Sequence, residues 1–503
     1  MVFNSIEFAA FLPIVFILYW FVFSSRAQRN WKGISQPEAP SSADEQGTRA
    51  AQRPQKQLQN ICLIAASYAF YAFWDWRFLG LIAFITLVTY AGGILVTKRR
   101  AKASLILTII LALLPLLVFK YHNFFISSLA SLIPALANDR LLIKVILPIG
   151  ISFYTFSALG YTIDVYQKKI EPTRDLITYA AFVSFFPQLL SGPIGRSTDL
   201  LPQYARPRTF DYTTAADGLR QFLWGLFKKV VVADGCAQYV DQVWANIQTQ
   251  TGSTLLLAAV LYSFQIYADF SGYSDMAIGT AKLFGIRLRQ NFACPYFSRD
   301  IAEFWRRWHI SLTSWFRDYI YIPLGGSRCA RWKILRNTLI VFLVSGLWHG
   351  ADWTFVAWGA YHGLLLCLLI LLGKSKRFKA NTVAHDRLLP SLKEFGQMAL
   401  TFALATLGWI IFRAESLPQV AEFFTNQFNR SLFSMPFLFV GTKKAILFAA
   451  IMIVSEWFFR TKDFAFHFKD SCPKWLKIAV SYILILLILE FSAHSQSFIY
   501  FQF

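Results

Sequence analysis

Apolar runs that approach the length of a bilayer crossing recur from one end of this 503-residue chain to the other. A hydrocarbon core about 30 Å thick takes about 20 helical residues to cross. The expected spans are Ile6–Phe23, Ile61–Trp74, Leu79–Val96, Ala103–Phe119, Leu141–Tyr161, Ala216–Val232, Thr254–Asp269, Gln397–Phe412, Ala445–Phe459 and Ile478–Glu490, besides those of a central block. Together they predict an all-α polytopic integral membrane protein with roughly eleven crossings, forming one membrane-embedded domain over 1–503. Residues are 56% hydrophobic and 17% aromatic, with mean hydropathy +0.44, which few soluble domains reach.

Not every run is long enough. Tyr179–Leu190 is short and leads into SGPIGR, whose Gly and Pro favour a broken or re-entrant helix. The segment Asn123–Asn138 is equally well a span, a re-entrant piece or an interfacial helix. Half-membrane pieces are superfluous in a regular bundle and point to a cavity that narrows within the membrane. No internal repeat of fixed period is visible, which counts against an inverted-repeat transporter.

The 49 Lys and Arg against 28 Asp and Glu give a formal charge of +21. In a membrane protein such an excess belongs in loops facing anionic lipid on the cytoplasmic side. No basic cluster belongs to a soluble nucleic-acid module, so no nucleic-acid partner is expected. The stretch 24–59 has SQPEAPSSADEQ at its centre and basic residues around it. It reads as a flexible cytoplasmic loop, dispensable for folding. The six cysteines form no CxxC pair, which leaves neither a metal site nor a disulfide framework to expect. No Lys or Arg precedes the first apolar run, so that run is read as a retained span rather than a cleaved signal.

The central block runs over 265–363. Thr338 to Trp348 is apolar apart from its two hydroxyl residues and begins just after Arg336 and Asn337. Its 11 residues would rise about 16 Å, roughly half the hydrocarbon thickness. With Arg336 at one surface, the break His349-Gly350-Ala351-Asp352 falls near mid-depth. An ionisable side chain there is a functional candidate, against the plainer reading of a histidine that only caps a helix in a tight turn. Asp300 to Asp318 carries too much charge to face lipid. As one helix it would align Trp305, Trp308, Leu312, Trp315, Phe316 and Tyr319 on one face and Glu303, Arg306 and Arg317 on another, with His309 at the seam. An interfacial helix explains the stripe and explains the histidine less well. Asp269 lies where an apolar helix gives way to Ser, Gly and Tyr; pairing with an arginine, or capping a helix at Ser271, is the expected role. Lys282, Arg287, Arg306 and Arg307 suit either phosphates of an acyl donor or lipid headgroups.

FWRRWHISLTSWFRDYIYIPLGG and LWHG, preceded by DFSGYSDMAIG, resemble the membrane-bound O-acyltransferase family, in its branch of bacterial polysaccharide O-acetylases. FNSIEF, LPIGISFYTFSALGYTIDVY, FVSFFPQLLSGPIGR, GWIIFRAESL and FIYFQF extend the resemblance over most of the chain, and the long polar stretch after the first span departs from it. The resemblance implies that His349 of LWHG is the general base. It implies that His309 is a second catalytic histidine that polarises the thioester, orients the acceptor or shares the proton. Trp308 and Trp348 would pack the site, and Arg306, Arg307, Arg317 and Asp269 are further candidates for donor binding. It also implies acetyl-CoA as a donor substrate, no bound cofactor or metal, a bacterial inner-membrane location amid lipid, and a periplasmic or membrane-tethered acetyltransferase partner. The rival reading is a transporter or flippase for a lipid-linked sugar, with the histidines relaying protons.

Overall fold

The computed structural model describes residues 1–24, 44–133, 142–143, 146–374, 378, 382–468, 472–492, 496 and 498–499. Helices dominate, and no strand occurs among the described residues. Backbone packing divides the chain into two compact units. One comprises 1–219 with 277–289, the other 220–276 with 290–503.

Among the described residues, five helical stretches are long and apolar enough to cross a membrane: Pro54–Leu95, Ala101–Ala130, Gly252–Leu283, Trp353–Leu371 and Leu392–Arg413. The sequence reading expected roughly eleven. Three expected spans are helical but fall short for physical reasons. Ala216–Val232 includes Lys228 and Lys229, Thr442–Phe458 has 17 residues with two lysines and Glu456, and Lys474–Phe491 carries Lys474, Lys477 and Glu490. The N-terminal helix is likewise apolar but short.

In the first unit the expected loop 24–59 requires correction. Residues 25–43 lie outside the described residues, but helix begins at Asp44 and runs to Asp75. Strong helix formers such as QKQLQ extend the second span backwards, and tertiary bonds anchor the extension. Lys56 Nζ lies 2.7 Å from Asp175 Oδ2. The buried Gln59 amide donates to the Arg208 carbonyl and accepts from the Arg208 N–H, both at 2.9 Å. The end of the polar stretch is therefore part of the core. A second correction concerns Leu141–Tyr161, whose helix runs instead from Ile151 to Tyr166. Pro148 and the left-handed Gly150 hold the preceding chain in a turn. The expected break at SGPIGR is present, since no helix runs over 191–196, and an unexpected one at Phe185 splits the preceding segment into Leu176–Ser184 and Phe186–Leu189.

Gly252–Leu283, most of which belongs to the second unit, is one unbroken helix, so neither Asp269 nor Ser271 starts a new one. The helix Arg331–His349 starts at Arg331 rather than after Asn337 and has 19 residues, longer than the half-length piece expected. Its end at His349 is as expected. Trp353–Leu371 follows, capped by Asp352, whose Oδ1 accepts from the Thr354 N–H at 2.8 Å. These two helices pack backbone to backbone. A Cβ on Gly346 would lie 2.2 Å from the Phe355 carbonyl oxygen, and one on Gly359 would lie 2.3 Å from that of Phe342. Small residues permit such close approach between membrane helices.

Candidate active site

His349 ends its helix because the chain turns at once. Gly350 is extended, and a Cβ there would lie 2.0 Å from the Phe355 ring, so only glycine fits beneath that ring. The imidazole is 4% exposed and boxed by Trp348 at 5.0 Å, Trp358 at 5.0 Å and Phe412 at 5.4 Å between ring centroids.

His309 is placed differently, and here the expected single helix over 300–318 is overturned. Helix Ile301–Arg307 stops, Trp308 is extended, His309 takes left-handed dihedrals (φ 45°, ψ 53°), and a new helix runs Ile310–Phe316. Left-handed backbone costs an L-residue about 1–2 kcal/mol, so tertiary bonds must hold it. The segment Asn291–Ala293 supplies them: Ala293 N–H donates to the Arg307 carbonyl at 3.0 Å and Ile310 N–H to the Asn291 carbonyl at 2.9 Å. The predicted shared face of tryptophans does not survive this break. Trp308 packs instead against Trp409, Phe292 and Phe304, and Trp305 against Trp358 and Phe342.

The two breaks bring the histidines together. The His309 ring is 1% exposed, stands 4.6 Å from Phe270 and 5.8 Å from Trp348, and lies 6.4 Å from the His349 ring, centroid to centroid. That spacing suits two imidazoles addressing one reacting group from different sides, within the reach that general acid–base catalysis needs. Burial among indoles and phenyl rings excludes water, which strengthens any charge interaction made there.

The other candidates divide. Trp348 lines the site, beside both His309 and His349, whereas Trp308 packs behind it against Phe292 and Trp409. Arg307 is committed to structure: its guanidinium bonds Glu303 at 3.0 and 3.2 Å and the Ala293 carbonyl at 3.1 Å. Arg299 shares the same carboxylate at 3.0 Å. Arg306 is half-buried and donates to the Phe378 carbonyl at 3.1 Å. Arg317 is exposed and pairs with Asp318 at 2.7 Å. Asp269 pairs with a cation, as expected, but with Lys229 at 2.9 Å rather than an arginine; its second oxygen accepts from the Ile499 N–H at 2.8 Å.

Sequence reasoning passed over the residues around that lysine. After helix Tyr212–Phe227 the chain widens into a π-helical turn, Lys228–Ala233. Lys228 lies 2.6 Å from Asp275 and 2.9 Å from Ser271, with Glu456 at 4.0 Å; Lys229 lies 2.8 Å from Asp234. Tyr267 donates to Glu456 at 2.8 Å. Each of these side chains is buried, and Tyr267, Asp269, Ser271 and Asp275 lie on the helix that also carries Phe270, the ring against His309. Two adjacent lysines inside an apolar run were the available signal, because intramembrane charge is costly and seldom idle. His362 was also missed. It is fully buried between Trp305 at 4.9 Å and Trp358 at 5.2 Å, and Trp358 meets His349 edge-to-face in turn. Among the described residues no group of His, Cys, Asp and Glu is arranged to hold a metal, and all six cysteines are free thiols.

Comparison with known proteins adds an independent line. The sequence model of the membrane-bound O-acyltransferase family matches residues 63–387, which include both histidines. The chain is 43% identical over 372 residues to a probable alginate O-acetylase AlgI of Pseudomonas aeruginosa, covering 73% of this chain and 69% of that protein. It is 38% identical over 478 residues to the Pseudomonas putida protein of the same name, covering 89% and 95%. A peptidoglycan O-acetyltransferase of Helicobacter pylori is 35% identical over 387 residues, 71% of each chain.

Proposed function

The chain belongs to the membrane-bound O-acyltransferase family, and from that premise we propose that it O-acetylates an exported envelope polysaccharide, taking acetyl groups from cytoplasmic acetyl-CoA. It is a multi-pass membrane acyltransferase. The related proteins are named for alginate and for peptidoglycan, and the same class of polymer is the acceptor proposed here, reached directly or through a periplasmic acetyltransferase partner. The location proposed is the bacterial inner membrane, where the donor is on one side and the polymer on the other.

The observation that carries the reading is the pair of buried histidines at two helix breaks, 6.4 Å apart within an aromatic wall. In the proposed step His349 takes the proton of the attacking hydroxyl. The hydroxyl oxygen bonds to the thioester carbonyl carbon, the carbonyl electrons move onto its oxygen, and His309 steadies that oxyanion. Collapse breaks the carbon–sulfur bond, and the leaving sulfur of coenzyme A takes the proton back from His349. A general base of this kind is worth about 10²- to 10⁴-fold in rate, and an oxyanion donor in a dry site about 10²- to 10³-fold. Arg306 is the arginine of the pair suited to a donor phosphate, since Arg307 is held by Glu303.

The test is to reconstitute the purified protein in liposomes with acetyl-labelled acetyl-CoA and a soluble hydroxyl acceptor. Free coenzyme A and labelled ester should appear together. Labelled ester from another acetyl thioester but none from acetyl-CoA would replace the donor. Release of neither product from any thioester would remove the catalytic reading.

A further inference from the structure

The left-handed turn at His309 has one dominant support, and nothing about the reaction itself requires it. Asn291 is fully buried and bonds the turn three times. Its backbone carbonyl accepts from the Ile310 N–H at 2.9 Å. Its side-chain Oδ1 accepts from the Ser311 N–H at 3.2 Å and from the Ser311 hydroxyl at 2.9 Å. The amide nitrogen points the other way and donates to Ser274 Oγ at 3.2 Å. Ser274 lies on the long helix Gly252–Leu283, one residue before Asp275 and four after Phe270, the ring packed on His309. One amide therefore ties the residues following His309 to the helix that packs against its imidazole.

The chemistry of the amide suits this task. A planar amide offers an acceptor to Ser311 on one side and a donor to Ser274 on the other. A carboxylate lacks the donor, and an alkyl group lacks both. Once Oδ1 is removed, Ser311 loses two bonds, and of the three that Asn291 makes to the turn the backbone bond to Ile310 alone remains. An imidazole held on such a turn then swings, and displacement of a catalytic group by about 1 Å costs on the order of 10²-fold in rate.

We propose that Asn291 is a positioning residue of the transfer reaction, acting through His309 and touching neither donor nor acceptor. The inference rests on the catalytic reading of His309 given above. It predicts a loss in kcat with little change in the KM for the acyl donor. Asn291→Ala should lower kcat ~10- to 100-fold with KM within about twofold. Asn291→Asp keeps the acceptor for Ser311 and should retain more of kcat than Asn291→Ala. In a His309→Ala background the further change Asn291→Ala should cost less than about twofold, because the group it positions is gone.

The measurement is steady-state acyl transfer by purified protein, with thermal unfolding recorded in parallel. An equal cost of Asn291→Ala with and without His309, a raised KM at unchanged kcat, or wild-type kcat would each overturn the proposal. If His309→Ala transfers nothing measurable, the split between kcat and KM alone decides. Should Asn291→Ala fail to accumulate, Ser311→Ala removes one of the three bonds and should lower kcat ~2- to 5-fold by the same criterion. A wild-type protein that transfers no acyl group sinks the catalytic reading, whereas an active one indifferent to Asn291 sinks only this inference.

Discussion

The two histidines stand at two helix breaks that are made in opposite ways. At His349 the chain turns by ordinary means: the helix stops, Gly350 lies extended beneath the Phe355 ring, and Asp352 caps the next helix. Its backbone is unstrained, and sterics set its position. At His309 the residue itself is the turn, held in left-handed dihedrals by hydrogen bonds from a segment 16 to 18 residues earlier. One histidine is placed by shape, the other by a polar clamp. Shape is local and robust; a clamp is remote and can be undone one bond at a time.

Substitution of the histidines tests whether this difference in support is matched by a difference in role. His349→Ala should have the largest effect, a loss of ~10³-fold or more in acetyl transfer with normal insertion and yield, because the base is gone. Ester content of the exported polymer, normalised to membrane protein, measures it. Wild-type ester content would end the catalytic assignment. His309→Ala should cost less, about 10²-fold, with residual transfer, since polarising or orienting groups are less indispensable than a base. If the two losses are equal, the histidines act as one unit and the proposed division of roles is wrong.

Gly350→Ala probes the steric break. The new methyl group would overlap the Phe355 ring, so thermal unfolding of the purified protein should show a loss of about 1–3 kcal/mol. Unchanged stability would mean that shape does not hold this turn. The smallest effect expected is that of Arg306→Gln, a rise of ~2- to 5-fold in the KM for acetyl-CoA at constant kcat, the size of one partly solvated charge–phosphate contact. A fall in kcat alone would place Arg306 with the supports of His309 instead.

The same contrast explains what was legible from the sequence. The break at His349 is written in adjacent letters, an apolar run ending WHGAD, so local reasoning found it. The break at His309 is not, because FWRRWHISLTSWF has uninterrupted helical character and the bonds that stop it come from Asn291 and Ala293. Periodicity therefore put Trp305, Trp308 and Trp315 on one face that the chain does not form. Arg307 looked available for a ligand for a related reason: its partner Glu303 and the competing Arg299 declare themselves only once the helix start at Ile301 is known. The helix behind 44–59 was hidden by composition. Polar residues suggested a loop, while the partners of Lys56 and Gln59 are more than 100 residues away. Lys228 and Lys229 were visible, and the anomaly of two ammonium groups in an apolar run deserved more weight than the run's length.

The backbone-to-backbone packing of the helices flanking His349 bears on how the protein is made. Arg331, Lys333 and Arg336 begin the first helix, and Lys374 follows the second, while the tip His349–Asp352 carries no Lys or Arg. Arg331 also bonds the carbonyls of Ile370 and Leu371, closing the open end. Basic residues resist translocation, so both ends of this pair should stay on the side of synthesis, and a reporter fused after Lys374 should be retained there. A pair packed so closely at Gly346 and Gly359 should leave the insertion machinery as one hairpin, with the His349 imidazole at its leading tip.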